Sequence, residues 1–170
     1  MLKRIFSQLH RYVLWLLISA VFWAWVFTFV TDTTRDKKIV LYADVPSISD
    51  RSLAIELEKE LPDGIQMVHV HPFSYAAFDT EAVKLADLYI LPEREMHEYA
   101  EQLCVIPETG QRGTLLHEPD GFSRLDAYCT YEAGERYFLC YNIRSVHLGA
   151  WNASEDDAAC VIAQRILQMP

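Results

Sequence analysis

The first long pattern in the chain is a run of twenty residues, 12–31, YVLWLLISAVFWAWVFTFVT, without a single charge. A helix of that length rises about 30 Å, the thickness of a bilayer's hydrocarbon core. Beyond Asp32 the pattern changes to short apolar runs separated by charged, amphipathic stretches. Residues 39–45, IVLYADV, predict a strand closed by Asp44 and Pro46. Residues 51–61 place Leu53, Ile55 and Leu57 among acids and a lysine, which predicts a helix stopped by Pro62-Asp63-Gly64. A second strand is predicted at 65–71 and a third at 86–91 (ADLYIL). A helix between them starts from Ser74 or Asp79 and runs to about residue 84 or 85. Pro92-Glu93-Arg94-Glu95 opens a further helix over 93–103, with proline near its first position and acids in its first turn.

Strands alternating with helices predict an α/β lobe, with helices on both faces of a mostly parallel sheet in spatial order 2-1-3. Residues 109–124 are polar and rich in glycine and read as a loop. Residues 125–131 and 136–143 read as an antiparallel hairpin turning at Ala133-Gly134, added to the sheet. Ser154 caps a last helix over 155–168 that buries Ala158, Val161, Ile162, the stem of Arg165 and Ile166. The expected core includes Leu41, Ala54, Leu57, Val68, Leu88, Ile90 and Ile162.

The expected organisation is a cytoplasmic segment 1–11, a retained transmembrane signal anchor 12–31, a polar linker 32–38 and an extracytoplasmic lobe 39–170. Lys3, Arg4 and Arg11 before the apolar run balance Arg35, Lys37 and Lys38 after it, so positive charge alone does not orient the span. The bulk of the chain lies beyond the run, and long domains translocate largely regardless of charge. The expected location is the cell membrane, single-pass. A cleaved signal peptide has a shorter apolar core and a small-residue exit, whereas this run leaves through Phe27-Thr28-Phe29-Val30.

From Ile39 onward nine basic residues face twenty-two acidic ones, a net charge of −13. That balance argues against nucleic acid as a partner and permits cationic or neutral ligands. Four cysteines, at 104, 129, 140 and 160, form no C-x-x-C pair. Cys104 and Cys160 read as small buried hydrophobes. Cys129 and Cys140 flank the expected hairpin turn, where a disulfide is an open alternative outside the cell.

In open parallel sheets ligands gather beyond the carboxyl ends of the strands. That rule nominates Asp44, Ser47 and Ser49 after the first strand, His71, Ser74 and Tyr75 after the second, and Glu93 after the third as ligand- or partner-binding residues. The serines also sit where helix N-termini need acceptors, and capping is the plainer role for them. His69 and His71 share one face of a strand, but two imidazoles without a third ligand make a weak metal site. No metal or cofactor is expected. Phosphate loops, nucleophile elbows and H-E-x-x-H are all missing from the sequence. The lobe is therefore expected not to be an enzyme; a hydrolase built on Asp44 and His71 is the catalytic alternative.

The order IVLYADV, helix, IQMVHVHPF, helix, ADLYILPEREMHEYAEQLCVIPE resembles the first lobe of extracellular solute-binding proteins of bacterial ABC importers. Ala86-Asp87-Leu88-Tyr89 matches that family's Ala-Asp-aliphatic strand, Cys104-Val105-Ile106-Pro107 its following edge segment, and residues 137–149 a late strand of such lobes. The resemblance implies a periplasmic-binding-protein-like fold. That family holds ligand between two lobes, and this chain has length for one. The implied function is thus a membrane-tethered binding or interaction module, accessory to a permease or surface complex, with a self-sufficient small-molecule receptor as the alternative.

Overall fold

A computed structural model describes residues 2–31, 33–72 and 81–169. The chain forms two units, residues 1–34 and 35–170. The first is one helix, α1 (Leu2–Thr31). Its stretch His10–Phe27 is long and apolar enough to cross a membrane, and none of it is buried.

The second unit is an α/β domain on a mixed five-stranded sheet. A 3₁₀ turn, Arg35–Lys37, leads into β1 (Lys38–Ala43). Next come β2 (Ser47–Ile48), α2 (Asp50–Glu58), β3 (Met67–Pro72), α3 (Glu81–Lys84), β4 (Leu88–Pro92) and α4 (Glu93–Met96). The chain ends through β5 (Gly113–His117), β6 (Cys129–Thr130), β7 (Tyr137–Tyr141) and α5 (Ala158–Ile166). The sheet order is β3-β1-β4-β7-β5. β1 pairs parallel with β3 (Leu41 opposite Val70) and with β4 (Leu41 opposite Leu88). The three parallel strands therefore stand in the expected 2-1-3 order.

Alternation along β1 sends Ile39, Leu41 and Ala43 to one face, where Leu53 and Leu57 of α2 and Ala159, Ile162, Ala163 and Ile166 of α5 cover them. On the other face Val40, Tyr42, Tyr89, Leu91 and Cys140 pack with Val83, Tyr99 and Leu103. Every residue of β4 is buried, as a central strand with two covered faces requires. Six of the seven expected core residues are buried; Ala54 is half-buried against the core.

Three expectations are corrected. The expected antiparallel partner of 136–143 was 125–131, but β7 pairs with β4 (Ile90 opposite Leu139) and with β5 (Thr114 opposite Leu139). β5 lies inside the stretch read as a loop. Gly113 is there because a Cβ would sit 2.8 Å from the Cys140 sulfur and 3.2 Å from the Leu139 carbonyl oxygen, so the glycine marks close strand approach. Only Cys129 and Thr130 of 125–131 form a strand, pairing with Ile48 and Ser47. Cys129 and Cys140 consequently lie in different core clusters, and all four cysteines are free thiols. Second, the helix expected over 93–103 is α4 followed by turns. Third, the last helix starts at Ala158. Ser154 is not its cap: Asp156 accepts the Ala158 N–H at 3.0 Å, and the Ser154 hydroxyl bonds Asn152 and the Ser145 carbonyl. Ala159 and Ala163 face the core where Val161 was expected to, and Val161 is exposed.

A polar network closes the amino edge of the parallel strands. Asp87 accepts the Ser145 hydroxyl at 2.6 Å and the Val40 N–H at 2.8 Å. Burial pushes its carboxyl above the usual range, while these donors, His147 and Arg35 pull the other way. Asn142 donates to the Ala86 carbonyl at 2.6 Å and to that of Lys84 at 2.8 Å. The His147 ring faces Asp156 through Nδ1 at 2.8 Å and the Arg35 carbonyl through Nε2 at 3.1 Å.

Candidate ligand-binding cleft

β1, β3 and β4 run in one direction, and β5 runs with them because both β4 and β5 are antiparallel to β7. Their carboxyl ends, together with the start of β7, form one edge. A cleft of about 880 Å³ opens there, lined by Glu93 after β4, His117 and Glu118 at the end of β5, Asp120, Tyr131, the turn 132–135, and Arg136 before β7.

Two arginines organise the acids. Arg136 reaches Glu118 at 3.2 Å and Glu93 at 3.8 Å. Arg94 reaches Glu132 at 3.0 Å and Glu135 at 3.4 Å. Asp120 has no ion-pair partner among the described residues. Five carboxylates against two guanidiniums leave the cleft with excess negative charge, and low-dielectric walls focus such a field.

An aromatic wall stands beside the charges. His117 stacks on Tyr131 at 4.3 Å, and Tyr131 lies 4.9 Å from Tyr137. Ser123 gives its hydroxyl hydrogen to Asp126, so in the neutral ring the 2.8 Å contact to Ser123 assigns hydrogen to His117 Nδ1. Nε2 is then an acceptor with no partner among the described residues. Cys129 shares a smaller adjoining hollow with His117, but burial first and Asp126 second push its thiol up to about 12, which keeps it protonated and a poor nucleophile.

Of the seven residues nominated from sequence, Glu93 alone lines this cleft. Asp44 follows β1 and bonds the Glu95 carboxyl; burial, then this contact, raise Glu95 to about 7. Ser47 is exposed in β2. Ser49 occupies the N-cap position of α2 yet makes no side-chain cap bond, which corrects the capping role expected for it. His71 stacks on Tyr42 at 5.2 Å, and burial and His69 hold it below the usual histidine range. Ser74 and Tyr75 lie outside the described residues. Among the described residues no hydrogen bond joins Asp44 to His71. Sequence reading passed over His117, Ser123, Asp126 and Tyr131, because only the pairing of β5 with β7 brings them to this edge.

Comparison with known proteins gives no match: no family model, no curated protein and no solved structure is similar to this chain.

Proposed function

We propose that the chain is a membrane-tethered binding module whose carboxyl-edge cleft receives a small cationic ligand, with α1 as the retained anchor and the domain extracytoplasmic. The observation that carries this reading is the cleft itself. Its volume, about 880 Å³, is within the range of small-molecule sites, and its lining is polar and acidic. A surface left by a lost second lobe would be flat or apolar. The cleft therefore favours the self-sufficient receptor over the purely accessory module. A single periplasmic-binding-protein-like lobe beside an ABC-type permease is the second reading; the 2-1-3 parallel order supports it. The reading is non-catalytic: Asp44 is engaged by Glu95 and His71 by Tyr42.

The test is calorimetric titration of the full-length protein in detergent with amines and arginine-bearing peptides. Saturable binding that weakens with salt and falls in the E118Q/E132Q double variant supports the reading. No binding by any cationic probe, or binding indifferent to those two acids, overturns it. Impermeant labelling of a cysteine introduced at Asp120 in intact cells tests sidedness, and co-purification of a permease with an empty cleft would favour the accessory reading.

A further inference from the structure

β3 carries Met67, His69 and His71 at alternate positions, so the three side chains share one face of the strand. Val68 and Val70 point the other way, at 3 % and 6 % exposure, and fix which face that is. The sequence alone offered two imidazoles and lacked a third ligand. The structure supplies one: the Met67 sulfur lies 3.2 Å from His69 Nε2. The His71 ring stacks 5.6 Å from that of His69.

We propose that Met67, His69 and His71 form a binding site for a soft monovalent metal ion, copper(I) or its analogue silver(I). Bonds of about 2.0 Å to nitrogen and 2.3 Å to sulfur place the two donor atoms about 3.2–3.7 Å apart at ordinary bite angles. The Met67–His69 contact falls at the short end of that span. In the free protein the Nε2 hydrogen points at the sulfur; on binding, the metal takes that position and the hydrogen moves to Nδ1 of the same neutral ring, so no net proton is lost. A small rotation of the His71 side chain brings in the third ligand.

The donor set selects the ion. Imidazole alone would suit zinc as well as copper, but the thioether is a soft donor that favours copper(I), and calcium and magnesium take oxygen ligands. No group of three His, Cys, Asp or Glu side chains able to hold a metal exists among the described residues. The surroundings agree. Val40 lies opposite His69 and Tyr42 opposite His71 in the β1 register, which gives the site an apolar and aromatic floor. The Asp50 carboxylate is close enough to act on His71 electrostatically and offsets the added positive charge. Among the described residues β3 is an edge strand and the three side chains are half-exposed, which leaves the ion access.

The four cysteines are also copper ligands, so the readout must be taken at the histidines. Full-length protein in detergent is treated anaerobically with copper(I) and then carbethoxylated, and each histidine is followed by mass spectrometry. We expect copper(I) to slow modification of His69 and His71 about tenfold or more, with exposed His97 unaffected and zinc giving clearly weaker protection at the same concentration. Met67→Leu should raise the copper(I) concentration needed for protection by about tenfold or more, the least expected for loss of a direct ligand. X-ray absorption on protein carrying Cys104→Ala, Cys129→Ala, Cys140→Ala and Cys160→Ala, where no thiolate can contribute sulfur, provides a second measurement. It should show nitrogen and thioether sulfur around the metal. Unprotected His69 and His71, equal protection by zinc, protection indifferent to Met67→Leu, or a nitrogen-only shell would each overturn the site.

Discussion

At the amino edge of the sheet Asp87, Asn142, Ser145 and His147 are at most 3 % exposed, and each is hydrogen-bonded within the domain. At the carboxyl edge Glu93, Glu118, Glu132 and Arg136 stand about half in water, joined only by ion pairs across an open cleft. Both edges are polar, but their energetics differ. A buried, satisfied network specifies structure, because each lost partner strands a group away from water. Exposed charge pairs contribute little to stability and leave their field free for a ligand. Substitutions should therefore be costly for folding at the first edge and affect mainly binding at the second.

The sharpest test is Asp87→Ala. It removes the acceptor for both the Val40 N–H and the Ser145 hydroxyl. A destabilisation of about 3 kcal/mol or more is expected in urea unfolding of the full-length protein. A loss below about 1 kcal/mol would mean that the network is not the scaffold. Next is Gly113→Ala. Its Cβ would meet the Cys140 sulfur at 2.8 Å and strand backbone at 3.2 Å. Overpacking of this kind costs about 1–3 kcal/mol. Because β5 also carries His117 to the cleft, ligand affinity should fall together with stability.

How far these two edges were legible in the sequence follows from the range of the interactions that make them. The strands at β1, β3 and β4 show as local apolar runs, and their parallel order follows from the helices that separate them. β5 is five residues beginning with glycine, GTLLH, and its identity as a strand depends on β7, more than twenty residues later. A glycine that permits close strand approach looks the same in sequence as a glycine in a turn. The cleft inherits that limit, since His117 reaches it only through this pairing. Asp87 shows the converse. It stood inside an apolar run as part of a resemblance, and its burial against Ser145 came from a contact 58 residues apart.

The third test joins the two regimes. Glu95 begins at the carboxyl edge yet is only 14 % exposed, and burial plus the Asp44 contact raise its carboxyl to about 7. The unfolded carboxyl ionises near 4.5, so between about 4.5 and 7 the unfolded chain loses a proton that the folded chain keeps. Stability should then fall as pH rises through that window and level off above it. Glu95→Gln should flatten this slope and stabilise the protein at pH 8 by about 1–2 kcal/mol, a figure reduced for the solvent that reaches this edge. A slope unchanged by the substitution would assign the pH dependence to other groups.

A smaller effect on stability is expected from neutralising the cleft. The E118Q/E132Q double variant removes one partner from each arginine. Exposed pairs of this kind should change stability by no more than about 0.5 kcal/mol. Affinity for a cationic probe should drop clearly in the same protein. If stability collapses with affinity, the carboxyl edge is scaffold like the amino edge and the contrast between them fails.

The smallest effect is expected at Ser49. A serine at the N-cap ordinarily holds an N–H of the first turn, and its loss costs about 0.5–2 kcal/mol. Here the Ser49 backbone takes the strain of positioning instead: its N–H donates to the Tyr128 carbonyl at 2.8 Å and its carbonyl accepts the Leu53 N–H at 2.9 Å, while the side chain makes no cap bond. Those backbone bonds survive in alanine. Thermal unfolding of Ser49→Ala should therefore coincide with wild type within about 0.3 kcal/mol, below the range of a working cap. A loss above 1 kcal/mol would show that the hydroxyl caps α2 in solution, and would move this serine from the open edge's idle polarity to the structural polarity that holds the amino edge together.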